Sequence, residues 1–251
     1  MPRRAAPIAA LLVLLGAEAR AWPATLVGPL LRDARRLVPR SLALLISERE
    51  KEISEAAQRL PAPLGQALAG DLPSGDLAPE TLGALDARAA DVVALFKDRR
   101  VSEGVVMLGA TLRIPADLSD PVLAASEGYP AGVAREYYAF VEASLDKMPV
   151  VIDDAQALQL ERRDLEGYWR QLLQKSRSQA AVIRSELYRR GSVVDHRTLD
   201  YRSPVFGVAQ LSYSRAVTGI AATWLALWRE AGGDMTRIRP PREILPRDGG
   251  P

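Results

Sequence analysis

The chain has 251 residues, of which 48% are hydrophobic and 25% are charged, as in ordinary globular proteins. Residues 1–21 hold three of the 33 basic and one of the 31 acidic side chains, so their removal would leave no formal net charge. This balance argues against a general nucleic-acid-binding surface. The sequence has no cysteine, which excludes a disulfide framework.

Residues 1–21 have the three parts of a secretory signal peptide. Two arginines give a basic start, 5–16 are apolar, and Ala19-Arg20-Ala21 is an Ala-x-Ala cleavage signal. We expect cleavage after Ala21, export to the periplasm or the exterior, and Trp22 at the new N-terminus. An uncleaved membrane anchor is the alternative. No later stretch of the sequence is long and apolar enough to be a transmembrane helix.

Hydrophobic residues recur with helical spacing through most of the remaining chain. The pattern predicts one all-α domain over 22–231, an irregular bundle of eight or nine helices, and a loose tail over 232–251. No stretch has a convincing strand-like alternation, and a Pro- and Gly-rich segment over 61–80 predicts a loop with one short helical turn. Helices are expected over 24–38 and 41–59, from 79, from a cap at Ser102, and over 131–147, 153–160, 165–190 and 204–230.

The stretch 108–124 (LGATLRIPADLSDPVLA) has two aspartates, Asp117 and Asp120, close to prolines that fix the backbone. One interpretation is a helix stop followed by an Asx-type turn that starts the next helix. Arg113 lies four positions before Asp117, the spacing of an ion pair on a helix. We therefore expect Asp117 either to bond to Arg113 or to cap a helix over 118–125.

A second distinctive stretch is 200–217 (DYRSPVFGVAQLSYSRAV), followed by Trp224 and Trp228. It resembles bacterial proteins related to zinc-dependent phospholipase C, a superfamily that also includes single-strand nucleases. The resemblance implies an all-α fold with three zinc ions in the active site. In that family the mature chain begins with a tryptophan whose amino group and carbonyl oxygen bind one metal, and Trp22 matches this position.

The family's central motif is His-x3-Asp-x5-His, and residues 113–123 align with it without gaps. Asp117 falls on the aspartate that bridges two zinc ions, but Arg113 and Leu123 stand at the two histidine positions. The family's next helix has His-x3-Glu, and the best match here places Ala134 and Tyr138 at the ligand positions.

Two further family ligands have only loose counterparts in this chain. An early family histidine would fall near Arg35, and a further aspartate corresponds, in a poorly aligned loop, to Asp71. Trp22, Asp117 and Asp71 are too few to hold three zinc ions, which need about four ligands each. Arg113 would also place a fixed positive charge where a cation should bind.

Two function classes follow. The first is an exported, non-catalytic binding or structural protein without a cofactor, whose former cleft could still hold an anionic lipid head group or a phosphodiester. The alternative is a phosphoric-diester hydrolase, a phospholipase or nuclease, with a reduced or rebuilt zinc site.

The single histidine, His196, gives a third hypothesis. It could act as an acid–base group oriented by Asp195 or Asp200, with Ser203, Ser212 or Ser214 as nucleophile. No nucleophile-elbow sequence surrounds these serines, so a surface-loop histidine bonded to one carboxylate is the simpler interpretation. The aromatic pairs Tyr137–Tyr138 and Trp224–Trp228 are interpreted as packing, although the two tyrosines could line a vacated pocket.

Overall fold

The computed structural model describes residues 22–58, 62–236 and 244–245. The predicted signal peptide and most of the predicted tail lie outside these residues. The described chain is mostly helical, as the sequence predicts. Its α-helices are α1 Ala24–Arg35, α2 Arg40–Glu48, α3 Glu50–Ala57, α4 Ala62–Asp71, α5 Pro79–Lys97, α6 Val101–Ala110, α7 Arg113–Leu118, α8 Val133–Ser144, α9 Leu165–Leu187 and α10 Pro204–Glu230.

Short 3₁₀ segments and four two-residue strands complete the described chain. The strands are β1 Val150–Val151, β2 Tyr188–Arg189, β3 Ser192–Val193 and β4 Ile244–Leu245. β1 pairs with β4 and β2 pairs with β3, both antiparallel. None of the helices in the described ranges combines the length and apolar composition that crossing a membrane requires.

Helix α10 is the centre of the bundle and has the predicted bounds. The Ser203 hydroxyl accepts a hydrogen bond from the Phe206 amide, and Pro204 occupies the first turn, so two sequence signals fix its start. The helix packs against α1, α7 and α9, and most of its side chains from Val205 onward are buried. Gly219 lets α7 approach closely, since a β-carbon there would lie 2.9 Å from the Pro115 β-carbon.

Several predicted boundaries are wrong for local reasons. The range 41–59 divides into α2 and α3 because Arg49 leaves the helical conformation, with φ −119° and ψ 18°. Helix α9 ends three residues early because Arg190 and Gly191 both have positive φ, which suits the tight turn of the β2–β3 hairpin. Helix α6 begins at Val101, and the Ser102 side chain does not cap it.

Two other differences depend on packing between distant segments. The expected loop over 61–80 contains the ten-residue helix α4, which packs against α5 and buries Leu64 and Leu68. The predicted tail contributes β4, whose partner β1 is almost a hundred residues away in the sequence. The helix predicted over 153–160 is only a 3₁₀ segment, Ala155–Gln159. No helix covers 118–125, where turns follow α7.

Candidate functional site

A cavity of about 670 Å³ lies between α4, α7, α8 and the connection from α7 to α8. Five positions that the sequence aligned with metal ligands of the zinc family contribute to its wall. They are Arg113, Asp117, Leu123, Ala134 and Tyr138. The other lining residues are mostly apolar and include Leu68, Leu72, Val122, Ala125 and Pro130.

Helix geometry explains why these positions come together. Arg113 and Asp117 are one turn apart on α7, and Ala134 and Tyr138 are one turn apart on α8, so each pair shares a helix face. Leu123 lies in the turn that follows α7. The turn and α8 therefore contribute to the cavity wall together with α4.

Arg113 and Asp117 form the ion pair expected from their spacing. The Arg113 Nε atom donates a hydrogen bond to Asp117 Oδ2 over 2.9 Å and lies 2.7 Å from Oδ1. Only 7% of the Asp117 side chain is exposed, against 19% of the Arg113 side chain. Burial raises the pKa of Asp117 to about 6, although the Arg113 charge acts in the opposite direction. The alternative role of Asp117, capping a helix over 118–125, is wrong.

Asp120 is fully buried and bonds to a residue of the cavity wall. The Tyr138 hydroxyl donates a 2.8 Å hydrogen bond to Asp120 Oδ2, and the Val122 amide donates one of 2.8 Å to Oδ1. The second bond is the Asx-type turn predicted from the sequence, but it redirects the chain instead of starting a helix. Burial raises the pKa of Asp120 to about 7, while the bond from Tyr138 lowers it.

Trp22 lies against the same helix as the ion pair. Its ring nitrogen donates a 2.7 Å hydrogen bond to the Ala116 carbonyl, and its side chain is 2% exposed. Its ring meets Tyr213 of α10 edge-on, with the ring centres 6.3 Å apart. The structure therefore places Trp22 beside α7, the helix that contains the Arg113–Asp117 ion pair.

Other predicted positions have structural roles away from the cavity wall. Asp71 Oδ2 accepts a 2.8 Å hydrogen bond from the Ala78 amide, although the next residue, Leu72, does line the cavity. Arg35 donates to Ser47 and Glu50. Tyr137 is completely buried, so only Tyr138 of the tyrosine pair reaches the cavity.

His196 bonds to a carboxylate that the sequence did not indicate. Both its amide and its Nδ1 atom contact Glu136 Oε2, at 3.2 and 2.7 Å, while Asp195 Oδ1 lies 3.6 Å from Nδ1. The bonds from His196 lower the pKa of Glu136 to about 2. These three groups could in principle hold a metal ion. However, Glu136 also accepts from Arg135, and Asp195 accepts from the Arg197 amide, so both carboxylates already have partners.

The three candidate nucleophiles are bonded elsewhere. Ser203 caps α10, Ser212 donates to Gln179 over 3.0 Å, and Ser214 accepts from the Val151 amide over 3.0 Å. The acid–base hypothesis for His196 therefore has no serine in place. The simpler interpretation, one carboxylate bond in a surface loop, fits the contacts, with Glu136 as the partner.

The cavity does not fit a cluster of three zinc ions. Leu123 and Ala134 offer no ligand atom, and the Arg113 guanidinium is hydrogen-bonded to the carboxylate of Asp117.

The chain matches no family model, no curated protein and no solved structure.

Two features of this site were missed from the sequence. α4 supplies apolar side chains to the wall, although the sequence predicts a loop with one short helical turn over its range. Tyr129 also lines the cavity; its hydroxyl donates to the Ala180 carbonyl oxygen over 3.0 Å and lies 3.3 Å from that of Pro121. The four-residue spacing of Leu64 and Leu68, which is one helical turn, is the sequence signal that indicates α4.

Proposed function

We propose that this is an exported, non-catalytic binding protein, related to the zinc-dependent phospholipase C superfamily, that holds a small ligand in the cavity. The observation behind the proposal is the convergence on one cavity of five positions selected from the sequence alone. An ion pair and apolar side chains stand where that family has metal ligands. In this proposal the protein retains the helical scaffold and the cavity of that superfamily but has lost its metal ions.

The composition of the wall suggests how a ligand is held. Arg113 reaches the cavity and donates from Nε to Asp117, while no described residue accepts a hydrogen bond from either of its terminal nitrogens. A guanidinium whose two terminal nitrogens have no acceptor among the described residues suits an anionic oxygen pair, such as that of a lipid head group or a phosphodiester. The leucine and valine side chains around it suit an apolar portion of the same ligand.

Calorimetric titration with dibutyl phosphate, a phosphodiester with two short apolar chains, tests the proposal. We expect saturable binding that Arg113→Gln weakens by roughly tenfold or more, the value of one charged hydrogen bond. Arg163→Gln is the matched control, because the Arg163 side chain is 79% exposed and lies outside the cavity wall. Equal binding by both variants would refute the assignment of the anion to Arg113.

Export and metal content are tested on the same protein. We expect N-terminal sequencing of secreted material to begin at Trp22, and a retained Met1 would contradict cleavage. We also expect purified mature protein to hold no tightly bound zinc, since four of the five aligned ligand positions of the cavity are substituted. Two or three zinc ions per chain, with chelator-sensitive phosphodiesterase activity, would overturn the non-catalytic proposal.

The Glu136–Asp195–His196 group favours one alternative, a hydrolase with a rebuilt metal site. Its three ligand atoms all lie within 4.8 Å of one another. In that case a single metal ion would be lost in His196→Gln and retained in Arg113→Gln. If the wild-type protein binds no metal ion, and both variants also fold without one, this alternative is excluded.

A further inference from the structure

Three side chains that can ligate a metal meet outside the cavity wall, at positions that the zinc-family alignment does not use. Glu136 is in the first turn of α8, Asp195 caps the 3₁₀ turn His196–Thr198, and His196 opens that turn. One ligand atom from each residue lies within 4.8 Å of the other two. His196 is the only histidine of the chain and cysteine is absent, so the strongest transition-metal donor in the sequence lies in this group.

The distances within the group are close to those between ligands of one ion. His196 Nδ1 lies 2.7 Å from Glu136 Oε2 and 3.6 Å from Asp195 Oδ1. Nitrogen and oxygen ligands bind a zinc-sized ion at about 2.0–2.2 Å, which places neighbouring ligand atoms about 3.0–3.5 Å apart. The Glu136–His196 pair therefore has to open by only about 0.3–0.8 Å to admit an ion.

The present partners of both carboxylates leave positions for an ion. Arg135 bonds to Glu136 Oε1, whereas His196 contacts the other oxygen, Oε2. Asp195 Oδ1 accepts from the Arg197 amide, and a carboxylate oxygen has a second lone pair.

The protonation state of the pair also suits exchange with a cation. The bonds from His196 lower the pKa of Glu136 to about 2, so this carboxylate is ionised at neutral pH. Nδ1 must then carry the hydrogen of the Glu136–His196 bond. A cation at Nδ1 takes the place of that hydrogen, and the ring keeps a proton on Nε2.

A pocket of about 300 Å³, separate from the cavity, leaves space for water on such an ion. It is lined by Arg135, Glu136, Val193, Asp195, His196 and Arg197. The two guanidinium groups oppose a cation, but the side chains of Arg135 and Arg197 are each 79% exposed, where water and salt screen their charge. An ion held by three ligands in this open pocket exchanges with solvent.

We propose that Glu136, Asp195 and His196 bind one exchangeable divalent transition-metal ion, with water completing its coordination. The mixed nitrogen and oxygen donors favour ions such as Co²⁺, Ni²⁺ and Zn²⁺ over Mg²⁺ and Ca²⁺, which prefer oxygen ligands alone. Because Glu136 and His196 are 60 positions apart, the ion links α8 to the segment before α10. This inference goes beyond the proposed function, since it places an ion outside the cavity and involves no hydrolysis. An exchangeable ion is compatible with purified protein that holds no tightly bound zinc.

Proton NMR on the unaltered mature protein, prepared without an affinity tag, tests the site directly. The single histidine gives one imidazole Hε1 signal, which a paramagnetic ion bound at Nδ1 broadens. Stoichiometric Ni²⁺ should broaden this signal, and a large excess of Mg²⁺ should neither broaden it nor prevent the effect of Ni²⁺. A signal that stays sharp with Ni²⁺, or that Mg²⁺ protects, would overturn the inference.

A matched pair of aspartate variants assigns the ligands by calorimetric titration with Ni²⁺. Asp195 and Asp200 each accept a hydrogen bond from the amide two residues later, so both begin the same kind of turn. Asp195→Asn and His196→Gln should each weaken Ni²⁺ binding by roughly tenfold or more, whereas Asp200→Asn should bind as the wild type does. Arg197→Gln removes a nearby cation and keeps the backbone amide, so it should tighten binding.

The outcomes separate this site from the proposed ligand cavity. Equal Ni²⁺ affinity of the wild type and His196→Gln, or of Asp195→Asn and Asp200→Asn, would overturn the inference. Anion binding at Arg113 would stand in that case, because none of the substituted residues lines the cavity.

Discussion

Replacing Asp120 by asparagine should stabilise the protein at neutral pH, although the change removes a buried, hydrogen-bonded carboxylate. Asparagine has the shape of a protonated aspartic acid. Its amide oxygen can still accept from the Val122 amide, and its NH₂ group can donate to the Tyr138 oxygen in place of the present bond. The variant therefore imitates the neutral state that this site favours.

The magnitude follows from the pKa of Asp120, which burial raises from 3.8 to about 7 in the folded protein. Because the folded-state pKa is the higher one, stability is greatest at acidic pH and is lost as the pH rises from about 4 to 7. One pKa unit corresponds to 1.36 kcal/mol, so the wild type should lose about 2 kcal/mol through this group between pH 5 and pH 7. The variant has no such loss.

Urea denaturation of both proteins at pH 5 and pH 7 measures this difference. We expect the advantage of Asp120→Asn in free energy of unfolding to grow by about 2 kcal/mol over that interval. The exposed Asp146 supplies the control, since Asp146→Asn removes a carboxylate from the surface. An advantage that stays constant with pH, or a variant less stable than the wild type at pH 7, would refute the reasoning.

Three further predictions concern the packing around the cavity. Asp117→Ala should cost about 2 kcal/mol of unfolding free energy by leaving Arg113 without its partner, less than for a fully buried pair because 19% of the Arg113 side chain is exposed. Trp22→Phe should cost about 1 kcal/mol, the value of the lost hydrogen bond to α7, and no change in thermal stability would contradict that bond. Gly219→Ala should cost about 1–3 kcal/mol, since a β-carbon would lie 2.9 Å from an α7 side chain. Gly207→Ala, with open space at that position, should be neutral or stabilising and is its control.

The candidate site could be predicted from the sequence only as far as local spacing reaches. The Arg113–Asp117 bond follows from a four-residue separation on a helix, and the Asx turn at Asp120 follows from an Asp-Pro pair. The bonds from Tyr138 to Asp120 and from Trp22 to Ala116 join residues 18 and 94 positions apart. No periodicity or cap signal reports a contact over such separations.

The sequence by itself determined the helical character and the central helix of this protein. Apolar side chains at a period near 3.6, with Ser203 and Pro204 at the start, specify α10 through interactions within a few residues. Only the tertiary structure decided that α4 forms in a Pro- and Gly-rich segment, that β4 pairs with β1, and that five separate positions enclose one cavity. These features depend on distant partners: burial of leucine side chains for α4 and backbone pairing with β1 for β4. Contacts of this kind depend on the whole fold and outweigh weak local preferences.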